Sequence, residues 1–287
     1  MPRAGGLPFH KLSGGGNDFI LIDAREPVAG LEPQALARLL CPRAHGVGAD
    51  GLIVVSPASE ADLALAYFNA DGSRAFCGNG TLCVARWAHQ AAGLPAALRL
   101  ETDQGVVPAR VRGRRVEMEF RPPRGLRQGI TLEPAGMEGS GLFLDTGCPH
   151  LVVLVDALPD PEVFLSQARR LRRHPGLGDA GTNVDFVMVE DPHRLRLWTF
   201  ERGVEGETLA SGTGCLAAAL AAASRSLAAS PVTCLTRGGI PLKVRFRRRG
   251  ADFTWVSLEG EARLVYRGVT SPDLDWTGGP GSGRQAG

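Results

Sequence analysis

The chain has 287 residues, 44% hydrophobic and 22% charged, with a formal net charge of +2. That length suits two domains of about 140 residues each, and so even a charge balance excludes a dedicated polyanion binder, so no nucleic-acid partner is expected. No apolar run reaches the ~18–20 residues of a membrane helix, and the opening Met-Pro-Arg-Ala-Gly-Gly lacks the apolar core of a signal peptide, so the expectation is a cytoplasmic protein with no membrane partner.

In chain order, Gly14-Gly15-Gly16-Asn17-Asp18 leads into the apolar run Phe19 to Ile22, a glycine loop entering a buried strand. Residues 32 to 41 read as a short amphipathic helix after Pro33, and Gly46 to Gly51 as a turn before another strand. Leu63 to Phe68 alternates like a strand, and Thr81 to Gln90 has helical spacing. Strands follow at 98–102, 106–112 and 115–120. The proline- and glycine-rich stretch 122–141 reads as the crossing between domains. A strand at 151–155, a helix at 161–173, a strand at 195–200, an alanine-rich helix after Ser211 and strands at 232–235, 242–246 and 253–258 complete the pattern. Domains are therefore expected at 1–130 and 131–276, with a glycine-rich, disordered tail at 277–287.

The chain carries one unit twice. Phe68-Asn69-Ala70-Asp71-Gly72-Ser73 runs to Cys77-Gly78-Asn79-Gly80, and Phe200-Glu201-Arg202-Gly203 runs to Ser211-Gly212-Thr213-Gly214. Each is strand, polar loop, nucleophile-type residue, glycine turn, helix. Gly48 to Val55 aligns with Thr182 to Val189, and Gly16-Asn17-Asp18 with Gly147-Cys148-Pro149, all at separations of 131 to 134 positions. The fold class expected is α+β, two pseudo-symmetric domains that are each a mixed strand barrel around a central helix, facing each other across a cleft that receives Cys77 and Ser211. A helix start offers unpaired N–H groups and a positive dipole end, which bind a carboxylate and lower a thiol pKa.

Taken alone, Cys77 reads as a small buried hydrophobe; its place in a glycine turn at a helix start turns it into an acid/base candidate. Cys41, Cys83, Cys215 and Cys234 read as structural. The six cysteines form no CxxC pair, and no histidine has HExxH-type spacing, so no metal is expected. Lysine occurs only at 11 and 243, neither in a turn suited to a pyridoxal phosphate Schiff base, so that cofactor is not expected either. His150 reads equally as a strand cap or a site residue. Glu201 and Arg202 read either as a surface ion pair or as the partners of a zwitterionic amino acid.

These linked motifs, Gly-Asn-Asp-Phe (16–19), Phe-Asn-Ala-Asp-Gly-Ser (68–73), Cys-Gly-Asn-Gly (77–80), Gly-x-Pro-His (147–150), Thr-Asn-Val-Asp-Phe (182–186), Glu-Arg-Gly (201–203) and Glu-Thr-Leu-Ala-Ser-Gly-Thr-Gly (207–214), resemble diaminopimelate epimerase over about residues 9 to 270. The resemblance implies a cofactor-independent enzyme interconverting LL- and meso-diaminopimelate, usually a homodimer, with one thiol on each face of the α-carbon. It implies that Cys77 is one acid/base group and position 211 the other. It also implies that Gly78, Asn79, Gly212 and Thr213 hold the reacting carboxylate. Asn17, Asn69, Asn183, Glu201 and Arg202 would hold the distal groups, and His150 would line the site. The chain departs from the pattern at Ser211, where the family has its second cysteine, and at Cys148, where many members have asparagine. An engineered cysteine-to-serine exchange, an epimerase of low activity, and a racemase or dehydratase of another amino acid that works with one thiol all fit Ser211. So does a binding protein that has lost catalysis.

Overall fold

The computed structural model describes residues 6–271 except 27, 29 and 31, together with residue 274. The expected tail at 277–287 lies outside the described residues. In chain order the elements are β1 (Pro8–Gly14), β2 (Asn17–Asp23), α1 (Pro33–Leu40), β3 (Gly51–Ser56), β4 (Leu63–Asn69), β5 (Arg74–Ala75), α2 (Gly78–Gln90), β6 (Ala97–Thr102), β7 (Gly105–Arg112), β8 (Arg115–Phe120) and β9 (Arg124–Thr131). They continue with β10 (Ser140–Asp145), β11 (Pro149–Val155), α3 (Pro161–Leu171), β12 (Asn183–Asp191), β13 (Arg194–Glu201), β14 (Gly206–Thr208), α4 (Gly212–Ser224), β15 (Val232–Leu235), β16 (Pro241–Arg249) and β17 (Asp252–Val269).

The chain divides into two compact units, Met1–Val106 with Arg263–Gly287, and Val107–Ala262. In the first, β1 pairs antiparallel with β2, β2 parallel with β3, β3 antiparallel with β4, and β4 parallel with β6. In the second, β10 to β11, β11 to β12, β12 to β13 and β13 to β15 repeat that alternation of antiparallel and parallel pairs. A parallel pair needs a crossover. Helices α1 and α2 supply the two crossovers of the first unit and α3 and α4 those of the second. The architecture is α+β with a duplicated topology, as the repeated motifs imply.

Segment 122–141 is not a crossing. It contains β9, paired antiparallel with β10 so that Ile130 faces Gly141. Gly125 and Gly129 take φ of 63° and 77°, and the register of this pair shifts twice, so the glycines serve bends inside a paired strand. The last strand also outruns its pattern: β17 spans Asp252–Val269, and its residues from Arg263 onward belong to the first unit.

Helices α2 and α4 have the same length of 13 residues and the same kind of N-cap. Every residue from Gly214 to Ala223 is buried, and α4 packs against β10 to β13, β15 and β16. A helix apolar all round is a core helix, and its alanines let the strands close tightly on it. Arg248 Nη1 donates to the Ala223 carbonyl at 2.7 Å, satisfying one of the acceptors that a helix C-terminus leaves open. The outer helices use one face only. Leu36, Ala37 and Leu40 of α1 pack on Ile20, Ile22, Leu52 and Val54, and Phe164 of α3 meets the rings of Phe186 and Trp198 edge-on at 5.3 and 5.5 Å.

Leu220 is one of the two leucines among the buried alanines of α4, is fully buried, and has little around it that can collapse into a hole. Leu220→Ala is therefore expected to destabilise the protein by about 3–5 kcal/mol, in the upper part of the usual range. Urea denaturation followed by circular dichroism checks this, with the exposed Arg249→Ala as a control expected to stay within about 0.5 kcal/mol.

Candidate active site

In the first unit, Cys77 is the N-cap of α2, with extended backbone, and its sulfur accepts from Gly80 N at 3.3 Å. The thiol thus satisfies the third amide of the helix and leaves those of Gly78 and Asn79, which have no intrahelical partner, facing outward. A Cβ built on Gly78 would meet nothing within 4 Å, so space is open beside the first amide. The buried Asn79 side chain holds the glycine loop: its Nδ2 donates to Gly15 O at 3.1 Å and Asn17 Oδ1 at 2.9 Å. Gly15 must be glycine here, since a Cβ would come within 2.2 Å of Asn79 and φ is +59°.

Asn17 Nδ2 in turn donates to Asp50 Oδ2 at 3.0 Å, and Arg43 bridges Asp18 and Asp50 at 2.8 Å. Burial alone would raise the Asp18 pKa, but the hydrogen bonds from Arg43 and Lys11 outweigh it and lower it to about 2. This charge-paired network, which includes Lys11, fixes Asn17 and through it Asn79. Asn69, at the end of β4, bonds its own turn instead, donating to Ser73 Oγ at 2.9 Å.

In the second unit Ser211 is the matching N-cap, and its Oγ accepts from Gly214 N at 3.2 Å. The Ser211 hydroxyl also lies beside the Glu201 carboxyl. Burial raises the Glu201 pKa, and that hydroxyl together with the charge of His150 only partly offsets it. Arg202, the next residue, is exposed; its backbone N–H donates to Asn183 Oδ1 at 2.8 Å, and its guanidinium reaches Gly181 O at 3.4 Å.

His150 is fully buried and joined to the equally buried Asp185, Nδ1 to Oδ2, at 2.6 Å. Thr199 Oγ1 donates to the other oxygen of Asp185 at 2.7 Å. Gly214 makes room for that carboxylate, since a Cβ there would lie 2.6 Å from Asp185 Oδ1. The His150 Nε2 lies 3.0 Å from Thr213 Oγ1, 3.3 Å from Cys148 Sγ and 3.3 Å from Asn183 Nδ2. His150, Asn183 and Thr213 thus converge, and Cys148 and Asp185 join them. The glycine turn at 147–150 and the acidic residue inside the apolar run of β12 were the signals for these two. A cavity of about 330 Å³ lies elsewhere in this unit, lined by residues including Leu158, Met188, Trp198 and Arg237; its lining has no carboxylate, thiol or imidazole.

Burial would push the His150 imidazole down, but the charge of Asp185, then that of Cys148, holds its pKa well above the ordinary value of about 6.5. A pKa raised on folding stabilises the protonated folded state, so this contribution is complete below about pH 6.5 and is lost as pH rises through the folded value. Unfolding free energy measured from pH 5.5 to 9 is expected to carry this decline, and Asp185→Asn is expected to flatten it.

The family model described as diaminopimelate epimerase matches residues 9–121 and 142–265. The chain is 37% identical over 281 residues to the diaminopimelate epimerase of Aquifex aeolicus (strain VF5), covering 93% of this chain and 99% of that protein. It is 38% identical over 287 residues to the diaminopimelate epimerase of Methanothrix thermoacetophila, covering 93% and 97%. Solved structures share the fold: a phenazine biosynthesis protein of the PhzF family from Bacillus anthracis has a TM-score of 0.67 at 16% identity, covering 92% of this chain and 99% of that one. A probable proline racemase from Agrobacterium radiobacter K84 has a TM-score of 0.68 at 15% identity, covering 93% of each. Two capped helix starts on a duplicated fold, matched to relatives over nearly their full lengths, settle the assignment: the chain belongs to the diaminopimelate epimerase family.

Proposed function

We propose that the chain inverts the α-carbon of diaminopimelate, converting the LL- to the meso-isomer without a cofactor, as a step toward lysine and cell-wall precursors. The observation that carries this reading beyond family membership is Cys77 as the N-cap of α2, its thiol beside two amides that the helix cannot satisfy. An α-proton of an amino acid is far too weakly acidic for a thiolate in free water. Its removal becomes feasible when the charge that develops on the neighbouring carboxylate meets fixed donors.

The amides of Gly78 and Asn79, and in the second unit those of Gly212 and Thr213, are the donors for that carboxylate. Cys77 is one acid/base group. Asn17, Asn69, Asn183, Glu201 and Arg202 hold the distal amino and carboxylate groups, and His150 lines the site. Ser211 occupies the second acid/base position. Its hydroxyl is a far weaker acid than a thiol, and its neighbour Glu201 is itself held toward the neutral form.

That serine also favours a second reading, a one-thiol racemase or dehydratase of another amino acid. A panel of amino acids assayed for inversion and for release of ammonia or keto acid separates the two. No helix among the described residues is long and apolar enough to cross a membrane. A cytoplasmic homodimer accompanies the proposal, supported by the exposed apolar side chains of Val265, Tyr266 and Val269 along the end of β17; light scattering is expected to give twice the 30.3 kDa chain mass.

In heavy water, the protein is expected to exchange the α-proton of diaminopimelate and to invert it. Cys77→Ala is expected to lower both by about 10²–10⁴-fold with little change in substrate affinity, as for loss of a proton-transfer group. Exchange that survives the substitution removes Cys77 from the chemistry.

A further inference from the structure

One arginine of the second unit does not behave like its neighbours. Arg169, Arg170 and Arg173 at the end of α3 are exposed, whereas the side chain of Arg172, the C-cap of that helix, is only 11% exposed. Its guanidinium reaches two loops at once. Nε and Nη2 donate to Glu205 Oε1 at 3.0 and 2.7 Å, and Nη1 donates to the Ala180 carbonyl at 2.8 Å. The Arg172 carbonyl in turn accepts from the amide of the buried Thr182 at 3.0 Å. Gly181 must be glycine between them, because a Cβ there would overlap both the guanidinium and that carbonyl.

Both loops lead to residues that the epimerase reading gives to the distal groups. Segment 178–182 runs into Asn183 at the start of β12, and segment 202–205 follows Glu201 and carries Arg202. The loops are also joined to each other: the Arg202 N–H donates to Asn183 Oδ1 at 2.8 Å, and its guanidinium donates to Gly181 O at 3.4 Å. Glu205 closes the second loop. Its amide donates to the Glu201 carbonyl at 2.8 Å, and its Oε1, besides taking both Arg172 bonds, accepts from Gly203 N at 3.3 Å. The hydrogen bonds from Arg172 also hold the Glu205 carboxyl below its ordinary pKa. The Glu205 backbone stands at φ 53°, a left-handed conformation that is unfavourable for a non-glycine residue and persists only where its surroundings over-determine it. An isolated surface ion pair does little. Here one planar fork of donors gathers two backbone segments, which a lysine ammonium could not do with the same geometry.

We propose that Arg172, acting with Glu205, is a positioning residue that sets the spacing of Asn183, Glu201 and Arg202 and so makes the protein selective for an amino acid with a second ionic head. Arg172 acts through those three residues rather than on the α-carbon. Its loss therefore weakens the hold on the distal groups and leaves proton transfer at Cys77 as it was. The inference rests on the epimerase reading above.

Steady-state epimerisation of diaminopimelate by the wild type, Arg172→Ala, Arg172→Lys and Glu205→Asn tests it. Asparagine tolerates a left-handed backbone, so the last variant removes the carboxylate without straining the turn. KM is expected to rise about tenfold or more in Arg172→Ala and in Glu205→Asn, the worth of one hydrogen bond to a charged group, with kcat within about twofold. Arg172→Lys keeps the charge without the fork and is expected to fall between wild type and Arg172→Ala. Two readouts separate positioning from a damaged fold. The rate at which iodoacetamide alkylates Cys77, measured without substrate, is expected to stay unchanged. The inhibition constant of 2-aminoheptanoate, which has the same carbon chain but no distal head to misplace, is expected to stay unchanged too. Wild-type protein that neither binds diaminopimelate nor exchanges its α-proton overturns the functional reading and this role with it. An active wild type whose Arg172→Ala and Glu205→Asn variants both keep KM within about threefold overturns the role alone. So does an inhibition constant for 2-aminoheptanoate that rises as much as KM, which marks a general loss of the site.

Discussion

Everything in the two candidate half-sites follows from how a helix start satisfies its amides. The first N–H groups of a helix have no partner within it, and a buried helix must find them one. In α2 and α4 the N-cap side chain takes the amide three residues on, Cys77 for Gly80 and Ser211 for Gly214. The two amides before it remain directed outward, and the capping atom is held beside them. A single local hydrogen bond therefore creates both the anion site and the fixed position of the group that works next to it. The barrel strands make this rigid, because a helix buried as fully as α4 cannot tilt to bring its first amides to water.

The buried His150–Asp185 pair is hard to justify by stability. Removing two ionisable groups from water is unfavourable by several kcal/mol each, and well-packed apolar residues of the same volume commonly do as well or better. The pair is satisfied on nearly every side, by Thr199 on the carboxylate and by Thr213 and Cys148 at Nε2. Full satisfaction of this kind fixes orientation rather than adding net stability. What is oriented is the imidazole edge that meets Cys148, and so the pair is understandable as a device for placing charge beside a sulfur.

Much of this was legible in the sequence, and the limits are physical. Strand alternation at Leu63 to Phe68 and Leu195 to Phe200, followed by Gly-Asn-Gly and Gly-Thr-Gly, gave both N-caps, because a capped helix start is a local signal. The start of α2 at Gly78 rather than Thr81 shows the usual blur, since glycines carry little helical propensity. β9 was missed because its glycines and the prolines that flank it outweigh its apolar residues, and it exists through pairing with β10. The grouping of Cys148 with His150, Asn183 and Asp185 was out of reach for a different reason. It depends on the parallel register of β11 and β12, which sets His150 opposite Asn183, and no local pattern encodes register between strands some thirty residues apart.

Ser211 and Cys148 both meet the start of α4, one as its cap and one through the Thr213 hydroxyl. Position 211 offers a helix cap beside the carboxyl of Glu201, which burial holds toward the neutral form. Cys148, in the turn before β11, meets the same helix terminus with a protonatable imidazole in contact. A sulfur at 148 is stabilised as an anion by a cation at 3.3 Å, against burial and the charge of Glu201. A serine at 211 keeps the capping bond that the helix requires, and the hydroxyl is sufficient for that. The two departures from the family pattern, Ser211 and Cys148, meet at one helix start: oxygen keeps the cap, and a thiol lies in contact with His150 and Thr213.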